Sequence, residues 1–291
     1  RRAAPEWGYR AGGGAGEDGR RCGECRVINM NRYEGEIIDC HWHPAPDAET
    51  WCNGLMTFCG IQEQIDDLRR AGIHRACGAP IRQLDGASFA GVRTLNDQAL
   101  ALRDRFPDFY FPGIHIHPRF PDESCAEIER CAALGVRWIG ELVGYMMGFG
   151  EEYATPAALT IMMAAAKHGM VVNIHCSNLE VVDQLCREVP DLQVVLAHPG
   201  AGRGDILARL DKVAAHPSLH LDISGSGIDR YGMIRTAMDK AGRGKVLFGT
   251  DAPINNPAVY VGGARFEALD ETERAALFSG NFRRLCGLDL C

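Results

Sequence analysis

The sequence predicts an α/β chain folded as a (β/α)8 (TIM) barrel, with parallel strands inside and helices outside. Three observations point there. From Glu36 onward, short apolar runs alternate with longer amphipathic stretches. Eight such strand-then-helix units can be marked in sequence, and a chain of roughly 250 residues is the usual length for that architecture. No glycine-rich phosphate loop follows the first strand, which disfavours a doubly wound open sheet, the main alternative.

The first strand reads from 36 to 41, a short buried run bounded by Gly35 and Pro44. The others are expected at 73–79, 109–115, 136–141, 170–175, 192–197, 218–223 and 245–250. Helices are expected at 61–71, 94–105, 122–133, 155–168, 178–188, 203–215, 230–241 and 270–279. Thr155-Pro156 supplies a cap residue and a proline for one first turn. Gly72, Gly135 and Gly169 stand just past three of the helices as stops.

Residues 1–29 differ from the rest. They are rich in Gly and Arg, poor in aliphatics and without periodicity, a composition that cannot bury a core. Met30 reads as the natural start, with a non-native tail before it, and residues 30–291 as one barrel. The tail carries six Arg against four acidic residues, so the body is more acidic than the chain's net −7. No apolar run approaches the roughly 18 residues of a membrane span, and no secretory signal is visible. The 12 cysteines are scattered, many of them inside strand or helix patterns, which fits a reducing cytoplasm. Cys22 and Cys25 have C-x-x-C spacing, but no second pair completes a zinc site and no strand precedes them, so the pair reads as chance.

In a barrel of this kind, functional side chains project from the C-terminal strand ends. Here those ends read His41-Trp42-His43, His115-Ile116-His117, Glu141, His175, His198 and Asp251. Residues at i and i+2 of a strand share a face, so His41 and His43 project together, as metal ligands can. Any one of these residues has an ordinary structural explanation: a packed histidine, a turn-capping aspartate, a paired glutamate. Six strands delivering such groups to one rim is far more specific, because a buried charge or imidazole is costly unless paired or metal-bound.

The pattern resembles the amidohydrolase superfamily, with H-x-H after the first strand, a Lys or Glu after the fourth, His after the fifth and sixth, and Asp after the eighth. The later segments AHPGAGRGD, LDISGSG, VLFGTDAP and FSGNFRRLCGL are similar to its amidohydrolase-related branch, which includes decarboxylases. The resemblance covers residues 36–288. IGELVGY with GIHIHP also resembles the TatD-type metal-dependent deoxyribonucleases, in which a glutamate bridges two metals.

The resemblance implies His41, His43 and Asp251 around one ion, with Glu141, His175 and His198 completing a second and Glu141 bridging. A mononuclear site, with Glu141 and His198 facing substrate or supporting the ligands, is the alternative. Imidazole and carboxylate donors suit Zn²⁺, with Mn²⁺ or Fe²⁺ as options. The expected activity is hydrolysis of an amide, ester or lactone of a small molecule by metal-activated water, with Asp251 as general base. The alternative is a non-oxidative decarboxylase with one metal on the same barrel. The acidic body argues against a TatD-type nuclease and against nucleic acid as a partner. A non-catalytic barrel ranks last, since every ligand position is filled. His115, His117, Arg82 and Arg119 are candidates for substrate contact, and Trp42, Tyr145 and Met146 for the pocket lining. GAGRG at 200–204 reads as a flexible rim loop. Homo-oligomers are expected from the resemblance alone.

Overall fold

The computed structural model describes residues 33–288, so the tail, Met30 and the Cys22/Cys25 pair lie outside it. Eight parallel strands run side by side in chain order: β1 (Ile38–Asp39), β2 (Arg75–Gly78), β3 (Tyr110–Ile114), β4 (Trp138–Leu142), β5 (Val171–Ile174), β6 (Gln193–Leu196), β7 (Leu219–Asp222) and β8 (Val246–Leu247). The ring closes through a seam between the ends of β1 and β8. Cys40 N–H donates to Phe248 O at 2.9 Å, Asp251 N–H to His41 O at 2.8 Å, and Trp42 pairs with Ala252. These irregular bonds replace a regular ladder, which is why β1 and β8 are shorter than their apolar runs suggest.

Seven helices match the expected ones: α1 (Ile61–Arg70), α2 (Ala90–Arg105), α3 (Pro121–Ala133), α5 (Pro156–Lys167), α6 (Leu179–Glu188), α7 (Arg203–Ala215) and α8 (Met233–Ala241). The sequence pattern had no place for α4 (Gly144–Met147) or for α9 (Pro257–Phe266), an apolar helix opened by the Asn256 cap. The helix expected at 270–279 is α10 (Glu271–Ala275), a π turn (Ala276–Gly280) and α11 (Asn281–Leu285) in continuity. Arg203 and Gly204 belong to the first turn of α7 rather than to a rim loop.

Two apolar layers hold the barrel. The larger lies between strands and helices and includes Ile37, Trp42, Ile65, Ile114, Ile139 and Leu196. The smaller fills the interior: Ile38, Cys40, Cys77, Trp138, Val171, Val195 and Leu247 meet Phe282 of the last helix and Cys286 just past its end. Full burial of one such aliphatic side chain stabilises by about 1.5–3 kcal/mol. Below the rim, Asp39 clamps the seam. Its carboxylate accepts the backbone N–H groups of His41 and Thr250, each at 3.0 Å, which locks the ends of β1 and β8 together.

Gly78 marks a close approach. At φ +150° an added Cβ would lie 1.9 Å from Trp42 O. Gly78→Ala is therefore expected to cost about 3 kcal/mol or more, measured as a shift in urea midpoint. His220, in β7, is buried with Nε2 3.0 Å from Gln193 Oε1 and Nδ1 unpartnered. Burial, reinforced by Arg284 and Lys245, drops its pKa from 6.5 to about 3. The unfolded chain binds this proton below about pH 6.5 and the fold does not, so folding stability falls as pH drops through that window. The wild type should lose more unfolding free energy than His220→Gln between pH 7 and 5, and equal losses would contradict this account.

Candidate metal centre

The strand ends bring His41, His43, Glu141, His175, His198 and Asp251 into one cluster. Glu141 stands at its centre. One carboxylate oxygen lies 3.2 Å from His41 Nε2 and 3.3 Å from His43 Nε2. The other lies 3.1 Å from both His175 Nδ1 and His198 Nε2. Asp251 Oδ1 is 3.4 Å from His43 Nε2 and 3.8 Å from His41 Nε2. Two ligand sets emerge, His41–His43–Asp251 and Glu141–His175–His198, each with donor atoms within 4.8 Å of one another. A third such set, His41–His198–Asp222, lies behind them.

Local backbone places these groups. Gly140 precedes Glu141 at φ +101°, where a Cβ would meet Asn173 O at 2.2 Å, so only glycine lets β4 turn its glutamate inward here. His198 (φ 67°) and Asp251 (φ 62°) are the two non-glycine residues with positive φ among those described. Non-glycine side chains rarely adopt that conformation, and both instances fall at strand ends in this one cluster.

The rear nitrogens are occupied. His43 Nδ1 lies 3.1 Å from Ala79 O, and His41 Nδ1 lies 3.0 Å from Asp222 Oδ2. An imidazole that donates Nδ1–H backward presents an Nε2 lone pair forward, which is how metal-binding histidines are oriented. Asp222 and its neighbour Ser224 were missed in the sequence. The signal was present, because LDISGSG puts an aspartate at the end of the seventh strand, as the other strands put their ligands.

The electrostatics favour a cation. Burial would raise the Glu141 carboxyl, but His41 and His198, with hydrogen bonds from His175 and His198, hold it well below the usual carboxylate range. Burial would lower His43, yet hydrogen bonds to Asp251 and Glu141 overcome it and lift the imidazole to about 9. His41 is likewise raised, by Glu141 and Asp222 against its burial. The carboxylates thus hold positive charge on these rings, and a divalent ion answers the same field once the protons leave. Four imidazoles and two carboxylates form a donor set that suits Zn²⁺, Mn²⁺ or Fe²⁺.

The remaining candidates fall elsewhere. His117 is fully buried, with Nε2 3.0 Å from Met147 O and Nδ1 accepting Arg119 N–H at 3.1 Å, so its ring braces two loops and has no nitrogen left for a substrate. His115 is also buried. It is tied through Nε2 to Pro80 O at 2.8 Å, its Nδ1 is unpartnered, and burial lowers its pKa to about 4. Arg82 pairs with Glu49, and Arg119, half exposed, lies 3.7 Å from Glu152. Tyr145 stands at the mouth, 64% exposed, its ring edge-on to His175 with centroids 5.4 Å apart. Trp42 instead packs into the wall. It borders a cavity of about 510 Å³ between α1 and the β8–α9 loop whose lining includes none of the six ligands.

Residues 38–288 match the family model described as Amidohydrolase. The chain belongs to the amidohydrolase family. Among solved structures, this family member is similar to 2,6-dihydroxybenzoate decarboxylase from Rhizobium, with TM-score 0.67, 17% identity, and coverage of 87% of this chain and 99% of that one. It is also similar to a dihydroxybenzoic acid decarboxylase from Polaromonas sp. with bound manganese and an inhibitor, 2-nitroresorcinol (TM-score 0.64, 15% identity, 87% and 97% covered). A TIM-barrel protein from Bordetella bronchiseptica aligns equally well (TM-score 0.67, 18% identity, 87% and 98% covered). At these identities the likeness is one of fold. No curated protein matches the chain in sequence. No helix among the described residues is long and apolar enough to cross a membrane.

Because His43 holds its proton up to about pH 9 without an ion, uptake of zinc at pH 7.5 should release at least about one proton per chain. Titration calorimetry in two buffers of different ionisation enthalpy measures this, and zinc uptake without proton release would contradict the charge state described.

Proposed function

We propose that this chain is a metal-dependent, non-oxidative decarboxylase of a small carboxylated aromatic acid. The observation that supports the reading is the pairing of a complete ligand rim with whole-length similarity to decarboxylases, one of them holding manganese. His41, His43 and Asp251 would hold the ion, with His175 and His198 beside them. When bound, the ion supplies Lewis-acid polarisation of a substrate oxygen.

The chain's own residues would do the rest. Asp251 Oδ2 accepts Asn255 Nδ2–H at 3.1 Å, which fixes the carboxyl plane and leaves Oδ1 toward the histidines. In decarboxylation the bond from ring carbon to carboxylate breaks, carbon dioxide leaves, and the bonding pair stays on the ring carbon. A proton that Asp251 takes up from solvent and passes on would fill the vacated position, so atoms and charge balance without oxidant or reductant. Tyr145, edge-on to His175 at the mouth, offers a flat apolar surface to an aromatic ring.

Hydrolysis of an amide, ester or lactone is the second reading, and Glu141 favours it. A carboxylate within 3.3 Å of four imidazoles can be shared by two ions, and a pair of ions suits the delivery of an activated water. Asp251 would then take the water's proton and pass it to the leaving group.

The test loads the protein with Zn²⁺ or Mn²⁺ and offers hydroxybenzoates in D2O, and esters, amides and lactones in ¹⁸O-labelled water. Deuterium at the vacated ring carbon with release of carbon dioxide supports the first reading, and ¹⁸O in a product acid supports the second. Whichever reaction is found, Asp251→Asn should lower turnover by about 100-fold or more.

A further inference from the structure

We propose that Ser224 is a positioning residue that sets the ring orientation of two ligands belonging to different sets, His41 and His198. The proposal rests on the metal-centre reading and follows from counting protons. Asp222 is surrounded by donors: Asn173 Nδ2–H at 2.9 Å, Ser224 N–H at 3.0 Å, His198 N–H at 3.4 Å and His41 Nδ1 at 3.0 Å. Its oxygens therefore act as acceptors. Ser224 Oγ makes a short contact with Asp222 Oδ1, and the single hydroxyl proton must lie there.

Two lone pairs remain on that oxygen. His41 Nδ1 lies 2.9 Å from it and His198 Nδ1 lies 3.0 Å from it. Ser224 can only accept from both, so both imidazoles carry their proton on Nδ1. Whether the rings are neutral or doubly protonated, Nε2 is then the one nitrogen each can give to an ion. Those two Nε2 atoms face opposite oxygens of Glu141, at 3.2 Å and 3.1 Å. One hydroxyl thus orients a ligand in each half of the centre. It also opposes an ion in the rear set, because the rear nitrogens of that set are proton-bearing.

The surrounding backbone supports this placement. Gly225 has φ +63°, and a Cβ there would lie 2.2 Å from His198 Nδ1, so the ring rests directly on the glycine. Gly225 O accepts the hydroxyl of Tyr260, which anchors the loop from outside. Ser224 itself is fully buried.

The two histidines depend on Ser224 unequally. His41 keeps Asp222 as an acceptor if the hydroxyl is removed, whereas Ser224 is the acceptor recorded for His198 Nδ1. Ser224→Ala should therefore weaken the zinc ion that His198 holds by about 10-fold or more and leave a second ion at His41 and His43, where two bind, within about twofold; a single ion that Ser224→Ala leaves unchanged would overturn the proposal. Chelator competition with zinc measures both affinities. Independently, ¹⁵N spectra of imidazole-labelled, zinc-loaded wild type should show His198 protonated at Nδ1 and metal-bound at Nε2, a readout that needs no variant.

Zinc bound through His198 Nδ1 would overturn the proposal, as would Ser224→Ala affinities that are unchanged or that fall equally for both ions. A wild type that takes up no zinc or manganese would overturn the metal-centre reading as well. Intact zinc uptake with an unaffected Ser224→Ala would overturn this proposal alone.

Discussion

A buried carboxylate among four imidazoles is the constraint on which the rest of the structure depends. Glu141 is 4% exposed and within 3.3 Å of His41, His43, His175 and His198. An isolated carboxylate so deeply buried would neutralise or drag the fold open, because desolvation of an unpaired charge costs several kcal/mol. It stays charged because every neighbouring ring offers positive charge or a hydrogen bond. In turn, it holds those rings in a geometry that four separate strand ends would not adopt alone. The arrangement is compatible with protons or with divalent ions.

Behind this carboxylate stand two more, and their jobs differ. Asp39 accepts backbone N–H groups from both sides of the β1–β8 seam and aligns the segment carrying His41 with the segment carrying Asp251. Burial raises its pKa to about 7, even against the hydrogen bonds from Thr250. Asp222 receives hydrogen bonds from His41, Asn173 and Ser224, and its pKa sits at about 2 because His41, His198 and Ser224 outweigh its burial. The same side-chain type at the same depth thus titrates differently, according to whether its main partners are a hydroxyl and backbone N–H groups or imidazole rings. The first carboxylate serves the barrel closure and the second serves the ligands.

Beyond the centre, rim residues pair with groups from neighbouring loops. His117, Arg82 and Arg119 look available in the sequence, each just past a strand end. In the fold the His117 ring is held by Met147 O and Arg119 N–H, while Arg82 and Arg119 have solvent-facing carboxylate neighbours in Glu49 and Glu152. Nothing in their local sequence distinguishes them from His175 or His198, because Met147, Glu49 and Glu152 are about 30 residues distant from them in the chain. Asn255 is the reverse case. It is an unremarked amide four residues after Asp251, and the turn of the β8–α9 loop brings it onto the Asp251 carboxylate.

The sequence by itself determined the eightfold alternation of strand and helix and the rank of polar residues at the strand ends. Both are periodic properties: a strand shows its pleat and a helix its 3.6-residue stripe in the residues themselves. The six candidate ligands were legible for the same reason, since each ends an apolar run. Only the tertiary structure decided which atoms meet. The seam between β1 and β8, the rear pairing of His41 with Asp222, the proton-bearing nitrogens around Ser224 and the central place of Glu141 all join residues 26 to 211 positions apart. Contacts at that separation leave no trace in local periodicity. They follow from barrel closure, which brings eight strand ends onto one ring only after the whole chain has packed.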